Sequence, residues 1–151
     1  MASVFDTAAH LLRESGGTIE QMQLHKILYY CQGWSLGNGR GALFPERIEA
    51  WVNGPVVPEL WQKYHHRYRI NAIEGGNPWH LSADQQSFVD HIFEVYRHYN
   101  GAALSQLTHN EEPWLEARQG IPAWIRSTSE ITHKSLERYF GGLIAAARGP
   151  T

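Results

Sequence analysis

Apolar residues recur along most of this chain at the three- and four-residue spacing that places them on one face of a helix. The pattern predicts a first short helix, which ends at Gly16-Gly17, and a second helix capped by Thr18, with Gln21 completing a capping box. Gly37-Asn38-Gly39 is expected to end this second helix. Its apolar stripe consists of Leu24, Ile27, Leu28, Cys31 and Trp34.

The second half of the chain carries the same helical periodicity. Residues 83 to 99 are predicted to form a helix, because Ser82 and Gln85 make a capping-box pattern and apolar residues then follow on one face. Proline suits the first turn of a helix, where its missing N–H costs nothing. Helices are therefore expected to begin at Pro58 and near Pro113. Two further helices are expected to begin near residue 102 and near Thr132.

Residues 38 to 58 break the helical pattern. Glycines and prolines are frequent there, and residues 48 to 52 (IEAWV) are expected to form a short strand or an extended loop. Asn53-Gly54 is a sequence that favours a tight turn, whereas Pro55 and Pro58 cannot donate to a sheet ladder. The segment is thus predicted to be an irregular or short β insert.

The length of 151 residues suits one domain that buries a core of its own. We therefore predict a mainly α fold: a single compact helical domain over residues 1–151, with about five to seven helices and one irregular or short β insert near residues 38–58.

Composition excludes several classes of protein. The net charge of −2 lacks the basic excess of a protein that coats nucleic acid, so nucleic-acid binding is not expected. No apolar run approaches the roughly 20 residues of a membrane span, and no secretory signal is visible at the first residues. The single cysteine, Cys31, allows no internal disulfide, so a cytoplasmic location is expected.

The nine histidines show no metal-ligand spacing. His65 and His66 are adjacent, and on a helix they point about 100° apart. His91 and His98 are seven residues apart rather than the three or four that bring ligands together on one helix face. We therefore expect neither a metal nor a cofactor.

Catalytic patterns are weak. Cys31 lies on an apolar stripe, where a buried thiol is inert. Glu111 and Glu112 form a carboxylate pair near His109, so a small hydrolase that uses His109 with Glu111 or Glu112 remains an alternative. The other interpretation of this pair is the N-terminus of the helix that follows at Pro113.

Aromatic residues are the more informative set. A basic cluster at residues 63 to 69 interleaves cations with aromatics, which suits a helix surface, an acidic protein partner or single-stranded nucleic acid. Tryptophan is common both in cores and at the centres of protein interfaces. We expect at least one exposed aromatic anchor among Trp51, Trp61, Trp79, Trp114 and Trp124.

Three segments, in their order and spacing, resemble a known family. They are residues 24 to 34 (LHKILYYCQGW), 48 to 61 (IEAWVNGPVVPELW) and 107 to 114 (LTHNEEPW). They resemble the Panacea domain, the family of SocA-like antitoxins and phage-associated GepA-like proteins. The resemblance covers roughly residues 5 to 142. Cys31 stands where a small residue is common in the family, and Trp61 where tyrosine is common.

The resemblance implies an antitoxin of a toxin–antitoxin system, located in the cytoplasm of a bacterial host or encoded by a phage or prophage. Such a protein neutralises a cognate toxin by direct protein–protein binding and is not an enzyme. The toxin would be encoded in the adjacent gene, for example an alarmone-synthetase-like toxin. The alternative is a proteolytic adaptor that delivers the toxin to the unfoldase of an ATP-dependent protease. Many relatives carry an added DNA-binding domain, for which this chain length leaves no room.

Candidate site residues fall into two groups. We expect Trp61 and Arg67 to contact the partner, because aromatics and cations cluster near the irregular insert. The residues of the family motifs are expected to be architectural, and they are Gly54, Pro55, Thr108, His109, Pro113 and Trp114.

Overall fold

Helix α2 (Gln21–Gly37) lies at the centre of the molecule, and helices from both ends of the chain pack against it. The computed structural model describes residues 1–149. The sequence pattern predicted one apolar stripe on α2, but residues 24 to 33 are all buried. A helix buried on every side must also bury its polar residues, and His25, Lys26 and Gln32 are all inside.

The predicted mainly α fold is confirmed, with 56% of the structure helical and seven α-helices in the described residues. None of these helices is both long and apolar enough to cross a membrane. Besides α2, the helices are α1 (Val4–Glu14), α3 (Pro58–Tyr64), α4 (Ala83–Tyr96), α5 (Gly101–Thr108), α6 (Glu112–Arg118) and α7 (His133–Arg148).

Helix α4 has the predicted capping box. The Ser82 hydroxyl accepts from the Gln85 N–H at 3.1 Å, and the Gln85 side chain accepts from the Ser82 N–H at 2.9 Å. The helix ends at Tyr96 rather than at the predicted residue 99. Thr132 caps α7 by accepting from the Ser135 N–H at 3.1 Å. Local sequence therefore decided where these two helices begin.

The predicted cap at Thr18 is wrong. Strand β1 (Ile19–Glu20) pairs antiparallel with β4 (Arg69–Ile70), and α2 begins only after Glu20. Glu20, at the N-cap position, makes no capping hydrogen bond with its side chain. A pairing with residues 50 positions away has displaced the helix start, which a local pattern cannot reveal.

The predicted β insert forms a hairpin. Strands β2 (Ile48–Trp51) and β3 (Gly54–Val56) are antiparallel, and β5 (Glu130–Ile131) pairs with the other edge of β2. Trp51 lies opposite Gly54, so the turn consists of residues 52 and 53, one position earlier than predicted. Pro55 lies in the edge strand opposite Ala50, whose own N–H donates to the Ser129 carbonyl at 2.8 Å.

The middle of helix α7 approaches the C-terminal end of α2 very closely. A Cβ atom added at Gly37 would lie 2.6 Å from the Cβ of Phe140 and 2.8 Å from the backbone N of Gly141. No side chain fits there, so glycine at position 37 allows the two helices to meet.

Candidate functional site

A hollow lies between the β2–β3 hairpin, the first turns of α2, helix α3 and the segment before β5. Its volume is about 210 Å³, and it opens to the surface. Both charged and aromatic side chains line it, which is the usual composition of a binding site. The residues used below are His25, Lys26, Trp51, Trp61 and Arg126.

Three side chains from α5 and α6 hold the hairpin in place. The Trp114 indole N–H donates to the Trp51 carbonyl at 2.8 Å, and Arg118 donates to the Ala50 carbonyl at 3.1 Å. The Ser105 hydroxyl donates to the Asn53 carbonyl at 2.6 Å. The wall of the hollow is therefore fastened to the helical part of the molecule by hydrogen bonds from buried groups.

Gly54 occupies a position where the backbone and the packing both require glycine. Its φ angle is +108°, a region that residues with a Cβ rarely adopt. An added Cβ would lie 2.8 Å from Thr108 Oγ1 and 3.0 Å from Lys26 Cε. The motif residues Gly54 and Thr108 thus enclose the Lys26 side chain against the hairpin.

Lys26 is a buried cation without a counterion. The side chain is 1% exposed and lines the hollow. No acidic group of residues 1–149 forms an ion pair with it. Burial alone lowers the pKa of Lys26 to about 7, because the charged form is poorly solvated.

His25 lines the same hollow and has an unused hydrogen-bond donor. Its ring is 1% exposed, and its Nδ1 accepts a hydrogen bond from the Val57 N–H at 3.1 Å. Burial lowers the pKa of His25 to about 3, with a smaller effect from Lys26, so the ring is neutral. Since Nδ1 accepts, the proton lies on Nε2. Nε2 has no hydrogen-bond partner among the described residues.

The predicted partner-binding residues lie in different places. Trp61 lines the hollow, where its ring meets the edge of Trp51 at 5.1 Å and stacks on His65 at 4.3 Å. Arg67 is exposed and lines a separate depression beyond the end of α3. The structure therefore does not bring Trp61 and Arg67 together, and their contact with a partner stays a prediction.

An exposed apolar loop adjoins the hollow. Residues 119 to 129 connect α6 to β5, and Arg126 of this loop lines the hollow. Trp124 is 78% exposed and Ile125 is 46% exposed. The buried Arg118 holds the loop by donating to the carbonyls of Pro122 and Ile125. The sequence prediction of an exposed tryptophan is met by Trp124 and, on another surface, by Trp79, which is 74% exposed.

Sequence reasoning missed Lys26, His25 and Arg118. All three lie within or beside apolar helix patterns, where a polar residue is ordinarily assigned to the solvent side. The available signal was the excess of large residues around Lys26 on α2, which predicts burial on every side rather than on a stripe.

The geometry does not join the proposed hydrolase residues. His109 stacks on Trp114 at 4.2 Å. Burial lowers the pKa of His109, although a backbone hydrogen bond with Val52 raises it in part. Glu111 instead accepts hydrogen bonds from the hydroxyls of Tyr29 and Tyr30, both at 2.9 Å. Burial raises the pKa of Glu111 to about 7 despite these bonds. Glu111 occupies the N-cap position of α6, in agreement with the prediction of a helix start.

Cys31 is buried in the core, and burial raises the pKa of its thiol, as predicted.

The fold brings together one group of side chains that are able to bind a metal: donor atoms of His10, Glu14 and Asp90 lie within 4.8 Å of one another. His10 Nε2 is already 2.6 Å from the Asp90 carboxylate, and Arg13 donates to its Nδ1 at 3.0 Å. Both ring nitrogens are therefore engaged, and a guanidinium lies beside the group.

Comparison with known proteins agrees with the motif segments. The chain matches no curated protein and no solved structure. Residues 24–115 match the model of the family described as antitoxin SocA-like, Panacea domain. This range includes most of α2, the hairpin, α3 to α5 and the start of α6, whereas the loop that carries Trp124 lies beyond it. The chain belongs to the SocA-like antitoxin family with the Panacea domain.

Proposed function

We propose that this protein is an antitoxin that neutralises a cognate toxin by direct protein–protein binding. Membership of the SocA-like family is the observation that carries the proposal. The surface around the hollow supports it, because it combines a half-open site with an adjoining exposed tryptophan, and interface hot spots are rich in tryptophan and arginine.

The partner that suits this function is a toxin encoded in the adjacent gene, for example an alarmone-synthetase-like toxin. The toxin-binding surface would consist of the hollow and the loop around Trp124. This surface is formed by α2, the hairpin, α3 and residues 119 to 129, so a toxin bound there contacts segments from both halves of the chain.

Co-expression with the adjacent gene tests the proposal. We expect the neighbour alone to stop growth, the pair to restore it, and a tagged copy of this chain to purify with the toxin in a defined stoichiometry by native mass spectrometry. Growth arrest that persists in the presence of this folded chain would contradict neutralisation. A toxin whose lifetime shortens while no stable complex forms would instead indicate a proteolytic adaptor.

Trp61 lies on this surface, and the proposal extends the interface to Arg67, which lines a separate depression beyond the end of α3. The double variant Trp61→Ala, Arg67→Ala should weaken toxin binding tenfold or more if both side chains contact the toxin, as ~1.4 kcal/mol corresponds to tenfold. Single variants separate the two, since Trp61 lines the hollow and Arg67 does not. Wild-type affinity in the folded double variant would remove both residues from the interface.

A further inference from the structure

Two buried side chains that line the hollow, Lys26 and His25, carry hydrogen-bond donors for which residues 1–149 supply no acceptor. We propose that the hollow is a carboxylate-binding site, in which Lys26 and His25 receive the side chain of an aspartate or glutamate presented by the partner protein. The inference rests on the proposed function and adds to it the chemistry by which the partner is recognised.

Both donors belong to residues that line the hollow. Lys26 offers an ammonium that has no counterion among residues 1–149, and His25 offers its Nε2–H, since its Nδ1 accepts from the Val57 N–H at 3.1 Å. Both side chains are 1% exposed. A carboxylate has two oxygens, so it can accept from both donors at once, and a charged hydrogen bond is about twice as strong as a neutral one.

The charge of the site selects a monoanion. Lys26 is the buried cation of the hollow, and Arg126 stands at its exposed rim. The nearby carboxylate of Glu49 is already engaged, because it accepts from the Trp51 indole at 2.8 Å and pairs with Arg47 at 2.9 Å. A carboxylate carries one charge at neutral pH, whereas a phosphate monoester carries about −1.5 to −2. One buried cation therefore matches a carboxylate better.

The surroundings favour a side chain attached to a protein over a free acid. The volume of about 210 Å³ exceeds that of a carboxylate alone, and the rings of Trp51 and Trp61 form an apolar wall for the methylene groups that carry it. The rim continues into the loop with the exposed Trp124 and Ile125. A partner that covered this loop would exclude water from the ion pair and so strengthen it.

The fold itself gains nothing from an unpaired ammonium in this place. Burying a charge without a partner costs free energy, and local rules of this kind are broken mainly at functional sites. Gly54 of the hairpin and Thr108 of α5, both residues of the family motifs, lie beside the end of the Lys26 side chain and so help to position this cation.

Nuclear magnetic resonance on the isolated wild-type chain tests the site without the toxin. The probe is N-acetyl-aspartate amide, the neutral control is N-acetyl-asparagine amide, and inorganic phosphate and sodium chloride at equal ionic strength are the other arms. We expect saturable shifts of the Val57 amide and of the Trp51 and Trp61 indole N–H signals with the aspartate probe, in the millimolar range. The pKa of Lys26 should rise when the probe is bound, because an anion favours the charged amine.

The variant Lys26→Met should lose these shifts, whereas Lys63→Met, which removes a cation outside the hollow, should keep them. The inference would be overturned if the asparagine control caused equal shifts, or if the aspartate probe caused none. It would also be overturned if inorganic phosphate caused the shifts and the aspartate probe did not. In the toxin assay, Lys26→Met should bind at least tenfold more weakly than Lys63→Met.

The two proposals fail in different ways. If the aspartate probe binds at the hollow but the adjacent toxin is not neutralised, the carboxylate site stands and the proposed function falls. If the toxin is neutralised equally well by the wild type and by folded Lys26→Met, the function stands and the inference falls.

Discussion

At the scale of single residues, the buried ionisable groups have the largest consequences. Lys26, Glu111 and Arg118 come from three different segments. Burial lowers the pKa of Lys26 and raises the pKa of Glu111, and the Arg118 side chain is buried. Arg118 has several carbonyl acceptors and Glu111 has two tyrosine donors, whereas Lys26 has no ion-pair partner in the part of the chain that the structure describes. Lys26 and Glu111 therefore lead to opposite pH dependences of stability.

Lys26→Met should stabilise the folded protein at pH 7. Methionine keeps the apolar stem and removes the unpaired ammonium, so we expect a gain of about 2 kcal/mol, in the range found when buried ion pairs are replaced by apolar residues. The melting temperature should rise by about 2–4 °C per kcal/mol. Lys63→Met is the control, because Lys63 lies outside the hollow and stacks on Phe5 at 4.5 Å.

The same variant should change the pH dependence. The pKa of Lys26 is about 7 in the folded state and 10.5 in the reference state, so the unfolded chain binds more protons between these values. The stability of the wild type therefore gains from this group as pH rises from about 7 towards 10.5. Thermal melts at pH 7 and pH 9 should show that the advantage of Lys26→Met shrinks. A constant advantage would contradict the buried, unpaired cation.

Glu111→Gln should remove a pH dependence of the opposite sign. The pKa of Glu111 rises from 4.5 to about 7 on folding, so its contribution to stability is complete below about pH 4.5 and is lost as pH rises to 7. The loss corresponds to about 3 kcal/mol at one pKa unit per ~1.4 kcal/mol. Chemical denaturation at pH 5 and pH 8 should show the wild type losing stability relative to Glu111→Gln. Glu112→Gln, an exposed neighbour, should show no such change.

At the scale of elements, the crossing of α2 and α7 depends on glycine at position 37 but not at position 142. The sequence predicts that Gly141-Gly142 weakens α7 unless close packing requires it. A Cβ at Gly141 would lie 3.5 Å from the Gly37 carbonyl, whereas one at Gly142 would meet no atom within 4 Å. Packing therefore explains the glycine at position 37, and the structure contains no packing reason for Gly142.

Two alanine variants should therefore change the free energy of unfolding in opposite directions. Gly142→Ala should raise the free energy of unfolding by about 1 kcal/mol, because alanine is the better helix former and nothing obstructs it. Gly37→Ala should lower it by about 1–3 kcal/mol, because its methyl group would overlap Phe140 and the backbone of Gly141. Denaturant titration measures both. Destabilisation by Gly142→Ala, or a neutral Gly37→Ala, would contradict this packing.

At the scale of the whole molecule, two exposed tryptophans offer a matched comparison. Trp124 is 78% exposed beside the hollow, and Trp79 is 74% exposed on the 3₁₀ turn Pro78–His80, where Arg13 lies over its ring. Substituting either exposed ring should leave the melting temperature nearly unchanged. Any difference between the two variants in binding the proposed toxin would therefore report the position of each tryptophan, beside the hollow or away from it, and not a difference in folding.

Trp124→Ala should weaken toxin binding tenfold or more, while Trp79→Ala should keep wild-type affinity. A tryptophan at the centre of an interface commonly contributes 2 kcal/mol or more to binding. Affinity measured by calorimetry and growth rescue in cells provide two readouts. Equal loss in both variants would indicate a more extended surface, and no loss with Trp124→Ala would remove the loop from the interface.

The sequence by itself determined the features that neighbouring residues control. Ser82 and Gln85 cap α4, Thr132 caps α7, and the apolar periodicity marks the helices, because these signals act over one or two turns. The family motifs, read along the chain, also identified the group to which it belongs.

Only the tertiary structure decided what depends on distant contacts. Pairing with Arg69 and Ile70 moved the start of α2, and packing on all sides of that helix buried Lys26 and His25. The hollow exists because the hairpin, α3 and the loop after α6 meet at α2. Whether a polar residue on a helix faces water or a binding site depends on which segments cover it, and those segments lie far away in the sequence.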